Sequence, residues 1–489
     1  MYTWIVVTGG LFSFIAAMGI GANDVANAYA TSVGSKALTM KQAVICATIF
    51  ESSGAILMGS HVTNTIRKGI ANYECFEDDP AVLMYGCMWV CFSVGIWLFI
   101  ACKYEMPVST THSCVGGMIG MTIVLKGVKC VNWYEKKETF PYIGGVSGIV
   151  LSWIISPIFS AIISTLFFGG IRKFILRNKN SFNRTIYLFP ILIGSTIALN
   201  TFFIIYKGAK GLGLDDTPLN QATLWSLGIG CISIIIITPF SVAIKQKIIN
   251  RVKTTVTQEI EYNINNEMDK NVDRELCCKI ITNVNNNLNG NLNDVVTQDE
   301  KVINIHDIAE KFDENTEEYF KSLQIFTAMC DSFSHGANDV ANAIGPFAAI
   351  YIIGRDSYVS KKNELGPDAY WILGMGGIGI SIGLILYGYK IIHAIGLKLC
   401  KITPSRGVAI ELASALVIIF GSRLEIPLST THCQIGATIG VAILEDPYNC
   451  SGMNCKILGK TIIGWVLTLI VVGTSCGILT AQGVYAPEL

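Results

Sequence analysis

Long stretches without a single charge constrain this chain more than anything else in it. Trp4–Ile20, Val82–Cys102, Gly145–Gly169, Leu188–Tyr206, Leu224–Ile244, Trp371–Tyr389 and Ile462–Thr480 carry no Asp, Glu, Lys or Arg. Each approaches or reaches the roughly 20 residues that cross a bilayer as a helix. Shorter or more polar candidates are Ala43–Gly59, Val108–Leu125, Phe326–Ile353, Val408–Gly421 and Leu428–Leu444, which brings the total to about twelve segments. Backbone groups in lipid must be satisfied within their own segment, so an all-α polytopic membrane protein is expected. The composition agrees: 51% of residues are hydrophobic and 15% charged, against about a quarter charged in soluble domains. The net charge is zero, so nothing points to nucleic acid as a partner; the lipid bilayer is the expected surrounding. The first run has no basic leader and no small-residue cleavage site before Gly21, and reads as a retained span.

One segment differs from the rest. From Lys245 to Lys321 the chain is polar and rich in Asn and acidic residues. It lacks the apolar density to fold alone and reads as a disordered or partly helical loop. Basic residues close to the spans set the expected orientation. Arg172, Lys173, Arg177, Lys179 and Arg184 cluster in one loop, and Lys245, Lys247, Arg251 and Lys253 open the Asn-rich one. Both should be cytoplasmic, with Lys398, Lys401 and Arg406 on the same side and both termini outside. Lys126, Lys129, Lys136 and Lys137 then fall outside, against the rule. Of the 16 cysteines, Cys75, Cys130, Cys450 and Cys455 lie in loops, where two disulfides are allowed but their pairing is not legible. Asn449-Cys-Ser451 is a glycosylation signal if its loop faces outward.

The chain also repeats itself. Gly21-Ala-Asn-Asp-Val-Ala-Asn-Ala28 recurs unchanged at Gly336–Ala343, and Pro107-Val-Ser-Thr-Thr-His112 recurs as Pro427-Leu-Ser-Thr-Thr-His432. Two unrelated stretches recurring in one order imply a duplication. Its halves are residues 1–168 and 322–489, with two additional spans over 169–244 and the polar loop over 245–321. If all candidate segments cross, the two Asn-Asp elements lie seven spans apart. An odd offset predicts two inverted-topology repeats, an architecture that holds its cargo near the midplane.

In the first element Asn23 and Asn27 share a helix face with Asp24 beside them, as Asn338 and Asn342 do with Asp339. An ionised Asp at membrane depth costs about 2.5–3.5 kcal/mol, and no Lys or Arg lies within a helical turn. A bound cation compensates, and carboxylate and amide oxygens suit sodium. In the second element a proline followed by hydroxyls starts a helix. Ser109 and Ser429 are therefore expected to open re-entrant half-helices inside the membrane. Helix N-termini offer unpaired N–H groups and partial positive charge. Ser109, Thr110, Thr111, Ser429, Thr430 and Thr431 add hydroxyl donors, which together suit a small oxyanion such as phosphate. His112 and His432 are candidates for anion or proton binding and equally for structural roles. Glu51 and Glu411 are candidates on burial cost alone, with solvent access near Arg406 as the plain alternative for Glu411. Arg67 and Lys68 read as interfacial anchors.

These paired motifs resemble those of the inorganic phosphate transporter (PiT) family, whose eukaryotic members are sodium–phosphate symporters, over nearly the whole chain outside the Asn-rich loop. The resemblance implies inverted repeats with a large cytoplasmic central loop. It implies cation binding at Asn23, Asp24, Asn27, Asn338, Asp339 and Asn342, with sodium the only metal, a co-substrate rather than a cofactor. Phosphate binding is implied at the six Ser and Thr residues, and Glu51 and Glu411 match glutamates that the family needs for transport. Some members use protons, so a proton-coupled carrier or a carrier of another small oxyanion is the alternative. A plasma-membrane symporter working by alternating access is the expectation, and a homodimer is allowed. An intramembrane hydrolase using Ser109 and His112 gives no reason for a second matched copy.

Overall fold

The computed structural model describes residues 2–138, 141–206, 217–268, 300–359, 365, 369–445 and 451–486. The chain is nearly all helical. Its first half forms α1 (Thr3–Asn23), α2 (Val25–Gly34), α3 (Met40–Gly69), α4 (Pro80–Lys103), α5 (Thr110–Lys126) and α6 (Gly145–Ile171). Then come α7 (Ser181–Ile205), α8 (Leu219–Met268) and α9 (Glu300–Ile308). The second half forms α10 (Glu314–Asp356), α11 (Tyr370–Lys398), α12 (Pro404–Arg423), α13 (Thr430–Ile443) and α14 (Cys455–Tyr485). A two-stranded ribbon, Glu135–Lys136 against Ile143–Gly144, decorates the loop after α5.

Among the described residues nine helical stretches are long and apolar enough to cross a membrane. Their outer surface is apolar. Ile154, Ile158, Ile162 and Leu166 of α6 are exposed, as are Leu224, Ile232 and Ile235 of α8 and Ile463, Val466 and Ile470 of α14. A soluble protein does not expose apolar area on this scale; lipid tails accept it. The polar residues are inside, which is the reverse of a water-soluble fold.

Local chemistry explains where the helices begin. Thr39 and Gln42 form a reciprocal cap at the start of α3, and Pro80 and Pro404 occupy the first turns of α4 and α12. Ser109 and Ser429 cap α5 and α13, each hydroxyl accepting from the main-chain N–H of the histidine three residues on. The Asn-Asp element behaves differently in its two copies. The helix is interrupted at Asp24, between α1 and α2, whereas α10 runs unbroken through Asp339. In both copies the leading glycine admits another backbone. A Cβ at Gly21 would overlap the carbonyl of Ile380 in α11, and one at Gly336 the carbonyl of Glu51 in α3.

Two helical pairs place the centre of the molecule. In the first, α4 has 24 residues and α5 has 17, about 36 and 25 Å at 1.5 Å per residue. Lys126 at the end of α5 meets Asp79 at the start of α4 at 2.7 Å. The tip at Ser109 therefore lies about 10 Å short of the far end of α4. In the second pair, α12 has 20 residues and α13 has 14, and Arg406 at the start of α12 meets Glu445 beyond α13 at 2.7 Å. That tip too falls short, by about 9 Å. The tips meet: Ser429 Oγ donates to Ser109 Oγ at 2.8 Å.

Where it is described, the polar segment is partly helical: the helix begun at Leu219 continues to Met268, α9 is helical, and α10 starts at Glu314. Residues 269–299, with most of the Asn run, lie outside the described residues. A disulfide joins Cys75 to Cys130, and Cys455 is a free, exposed thiol. Cys450 and Asn449 lie outside the described residues. Arg67 is no interfacial anchor: it is buried and donates to Asn64 Oδ1 at 3.3 Å.

Candidate functional site

The half-helix tips and the two aspartates come together in the buried centre. Asp24, Asp339 and all six Ser and Thr residues of the tips are at most 2% exposed. The threonines bond to the aspartates both within and between the halves. Thr431, from the second half, donates to Asp24 Oδ1 at 2.6 Å. Thr110, from the first, donates to Asp24 Oδ2 at 2.7 Å and lies 3.4 Å from Asp339 Oδ1. Thr430 donates to Asp339 Oδ2. Thr111 donates instead to the carbonyl of Leu428 in the opposite tip, at 2.8 Å.

The asparagines divide. Asn342 Nδ2 donates to Asp339 Oδ1 at 2.9 Å and to Thr110 and Thr111, both at 3.2 Å. Asn23 grips the extended residues leading to the first tip: it donates to Met106 O and accepts from Val108 N, both at 3.0 Å. Asn338 donates to Ser422 Oγ at 3.0 Å. The side-chain oxygens of Asn338 and Asn342 are buried and make no hydrogen bond, which is uncommon for acceptors inside a protein. The side chain of Asn27 lies outside the described residues.

The histidines after the tips stand in an aromatic stack. His112 lies on Trp153 with ring centres 3.6 Å apart, His432 on Trp465 at 3.7 Å, and the two imidazoles are 4.8 Å apart. His432 Nδ1 also meets Trp153 O at 2.9 Å.

The glutamates are both fully buried, so solvent access does not account for Glu411. Arg406 pairs with Glu445 instead. Glu411 accepts from Thr31, Ser32 and Thr327, each at 2.6 Å, and from Gln324 at 3.1 Å. Glu51 accepts from Ser332 at 3.1 Å and meets His335 Nδ1 at 3.0 Å. The other nitrogen of that ring, Nε2, lies 2.8 Å from Asp339 Oδ2 and 3.9 Å from Asp24 Oδ1. Asp24, His335 and Asp339 bring one donor atom each within 4.8 Å of one another.

His335 escaped the sequence reading because the repeat hides it. Its counterpart in the first half is Ile20, one residue before Gly21. A signal was present nonetheless. Gln324, Thr327, Asp331, His335, Asn338 and Asn342 recur at spacings of three and four and share one face of α10. That polar line connects Glu411, Glu51 and the aspartate pair.

Comparison with known proteins fits this arrangement. A model of the phosphate transporter family matches residues 20–476. An inorganic phosphate transporter 2-1 of Arabidopsis thaliana, chloroplastic, is 32% identical and aligns over 96% of this chain and 70% of its own. A sodium-dependent phosphate transporter of Plasmodium falciparum is 29% identical over 94% of this chain and 88% of its own. A solved structure titled as the sodium-dependent phosphate transporter superposes with a TM-score of 0.74 at 30% identity, covering 97% of this chain and 98% of that one.

Proposed function

The chain belongs to the phosphate transporter family, a multi-pass membrane carrier rather than an enzyme, and we propose that it is a symporter of inorganic phosphate and sodium working by alternating access. The carrying observation is that three threonine hydroxyls of the tips, those of Thr110, Thr430 and Thr431, are spent on the two aspartates. A hydroxyl has one proton and donates to one acceptor at a time. Thr110, Thr430 and Thr431 therefore serve a carboxylate or an oxyanion, not both. A sodium ion on Asp24 or Asp339 takes over the compensation of the carboxylate and releases the hydroxyl. Phosphate then receives it, together with the N–H groups and dipoles of α5 and α13. Linkage makes the effect reciprocal: phosphate tightens sodium by the factor that sodium tightens phosphate.

Asp24, Asp339 and the amide oxygens of Asn338 and Asn342 supply the hard ligands in this reading, with Asn23 and Asn27 in the surrounding element. Ser109, Thr110, Thr111, Ser429, Thr430 and Thr431 hold the phosphate. His112 and His432 back the tips, and Glu51 and Glu411 hold the neighbouring helices through buried hydrogen bonds. The two short helices, each closed beyond its C-terminal end by an ion pair and meeting the other at its N-terminal tip, support inverted repeats. The Cys75–Cys130 disulfide supports placing its loop on the oxidising, outer face. The basic loops and the central segment are then cytoplasmic in the plasma membrane.

Uptake of labelled phosphate into proteoliposomes, with sodium or choline outside, tests the reading. Uptake should require sodium and be lost in Asp24→Asn and in Asp339→Asn. Sodium-driven uptake that survives in both variants refutes the carboxylate role. Uptake that persists in choline and collapses with a protonophore assigns the coupling to protons.

A further inference from the structure

Two glutamates adopt a left-handed backbone at the same point of each half. Glu105 has φ +52° and Glu425 φ +58°, two residues before the prolines of the tip motifs. Each ends the long helix of its pair by the same two backbone hydrogen bonds. Glu105 N–H donates to Cys102 O at 3.1 Å and Met106 N–H to Ala101 O at 2.9 Å. Glu425 N–H donates to Ser422 O at 3.2 Å and Ile426 N–H to Gly421 O at 3.0 Å. This helix ending favours glycine, because a Cβ crowds the carbonyl in the left-handed region.

What the side chains gain is a tether. Glu105 Oε2 lies 3.5 Å from Lys398 Nζ at the end of α11, and Glu425 Oε1 lies 3.4 Å from His61 Nδ1 on α3. The carboxylates are half exposed, at 50% and 53%, and His61 is charged only when protonated, so neither contact adds much stability. Stability alone would select glycine at both positions. Position explains glutamate better. Helix α11 packs against α1 and α2, which flank Asp24, and α3 packs against α10, which carries Asp339. Each glutamate thus fastens the residues leading to one tip to the helix that supports one aspartate. The two tethers lie at opposite ends of the molecule: Glu105 follows the end of α4, whereas Glu425 lines a cavity with Asn64, Asn132 and Glu135, near the disulfide at the start of α4.

We propose that Glu105 and Glu425 are positioning residues for phosphate, holding the Ser109 and Ser429 tips in register with Asp24 and Asp339. The inference rests on the reading that these tips bind the oxyanion. Full-length Glu105→Gly and Glu425→Gly proteins in proteoliposomes test it. Relief of the left-handed side chain should leave thermal stability equal or raised. The KM for phosphate should rise about fivefold, the effect of one lost charge-assisted contact, with a smaller change in maximal rate. The charge-swapped Glu105→Lys/Lys398→Glu pair should recover KM relative to Glu105→Lys alone. A KM within about twofold of the parent in both glycine variants overturns the proposal. A marked loss of thermal stability in them also overturns it, because the glutamates would then be structural caps. Ser109→Ala and Ser429→Ala, assayed beside them, separate the two levels. If the serine variants raise KM and the glycine variants do not, only the tether fails; if neither does, the anion-site reading fails.

Discussion

The base of the second helical pair should be far more sensitive than the base of the first, although both are closed by one ion pair at 2.7 Å. Arg406 is 1% exposed and Glu445 6%. The guanidinium also donates to Glu310 O at 2.9 Å, and its carbon lies 5.5 and 5.4 Å from the ring centres of Phe168 and Phe312. Arg406→Met keeps the aliphatic stem and strands a buried carboxylate, which costs about 3–5 kcal/mol. Lys126 and Asp79 are 24% and 53% exposed, so Lys126→Met should cost only about 0.2–1 kcal/mol. Thermal unfolding of the purified variants, followed by tryptophan fluorescence, gives the comparison. A double-mutant cycle with Glu445→Gln isolates the pair from the cation–π contacts. Arg406→Met should also raise the phosphate KM, because α13 carries Ser429 at its other end. Arg406→Met and Lys126→Met falling within about 1 kcal/mol of each other would refute the reasoning, since the larger cost is argued from the burial of the Arg406–Glu445 pair.

Two further outcomes follow from contacts around the site and its periphery. The Arg177 hydrogen bond, helped by Arg172, holds the Glu310 carboxyl below the usual glutamate range. Its stabilising contribution is therefore complete above the ordinary value of about 4.3 and is lost as pH falls through the lowered one. Arg177→Ala should flatten the acid limb of a melting-temperature profile, and an unchanged limb would sink the assignment. His335→Ala removes the contacts to Glu51 and Asp339 and should reduce sodium-driven phosphate uptake about tenfold or more; activity equal to the parent would leave His335 a packing residue.

Much of this was legible from residues alone, and the reasons for the rest are physical. Apolar run length marks the spans, and Pro-x-Ser-Thr-Thr marks the starts of α5 and α13, because capping is a local interaction. Asp24 and Asp339 are conspicuous because an ion in lipid demands an explanation wherever it stands. Long-range partners are another matter. Nothing near Arg406 in the chain announces Glu445, 39 residues away, and the nearer Glu411 attracts the eye instead. The reach of α8 past Lys245 was hidden by polarity, since a helix emerging from the membrane needs no apolar face. His335 was masked by comparing copies: an internal repeat draws attention to what matches, and here the difference from Ile20 is the informative feature.

The octapeptide that is spelled identically twice but interrupted once has a last implication. Identical residues have identical intrinsic preferences, so the helix boundary at Asp24 and its lack at Asp339 are not set by the side chains of Gly-Ala-Asn-Asp-Val-Ala-Asn-Ala themselves. Surroundings decide, and surroundings are what a moving carrier changes. The break at Asp24 is slight, with helical dihedrals and its N–H still donating to Ile20 O at 2.7 Å, so a small change around the first copy is enough to make it as continuous as the second.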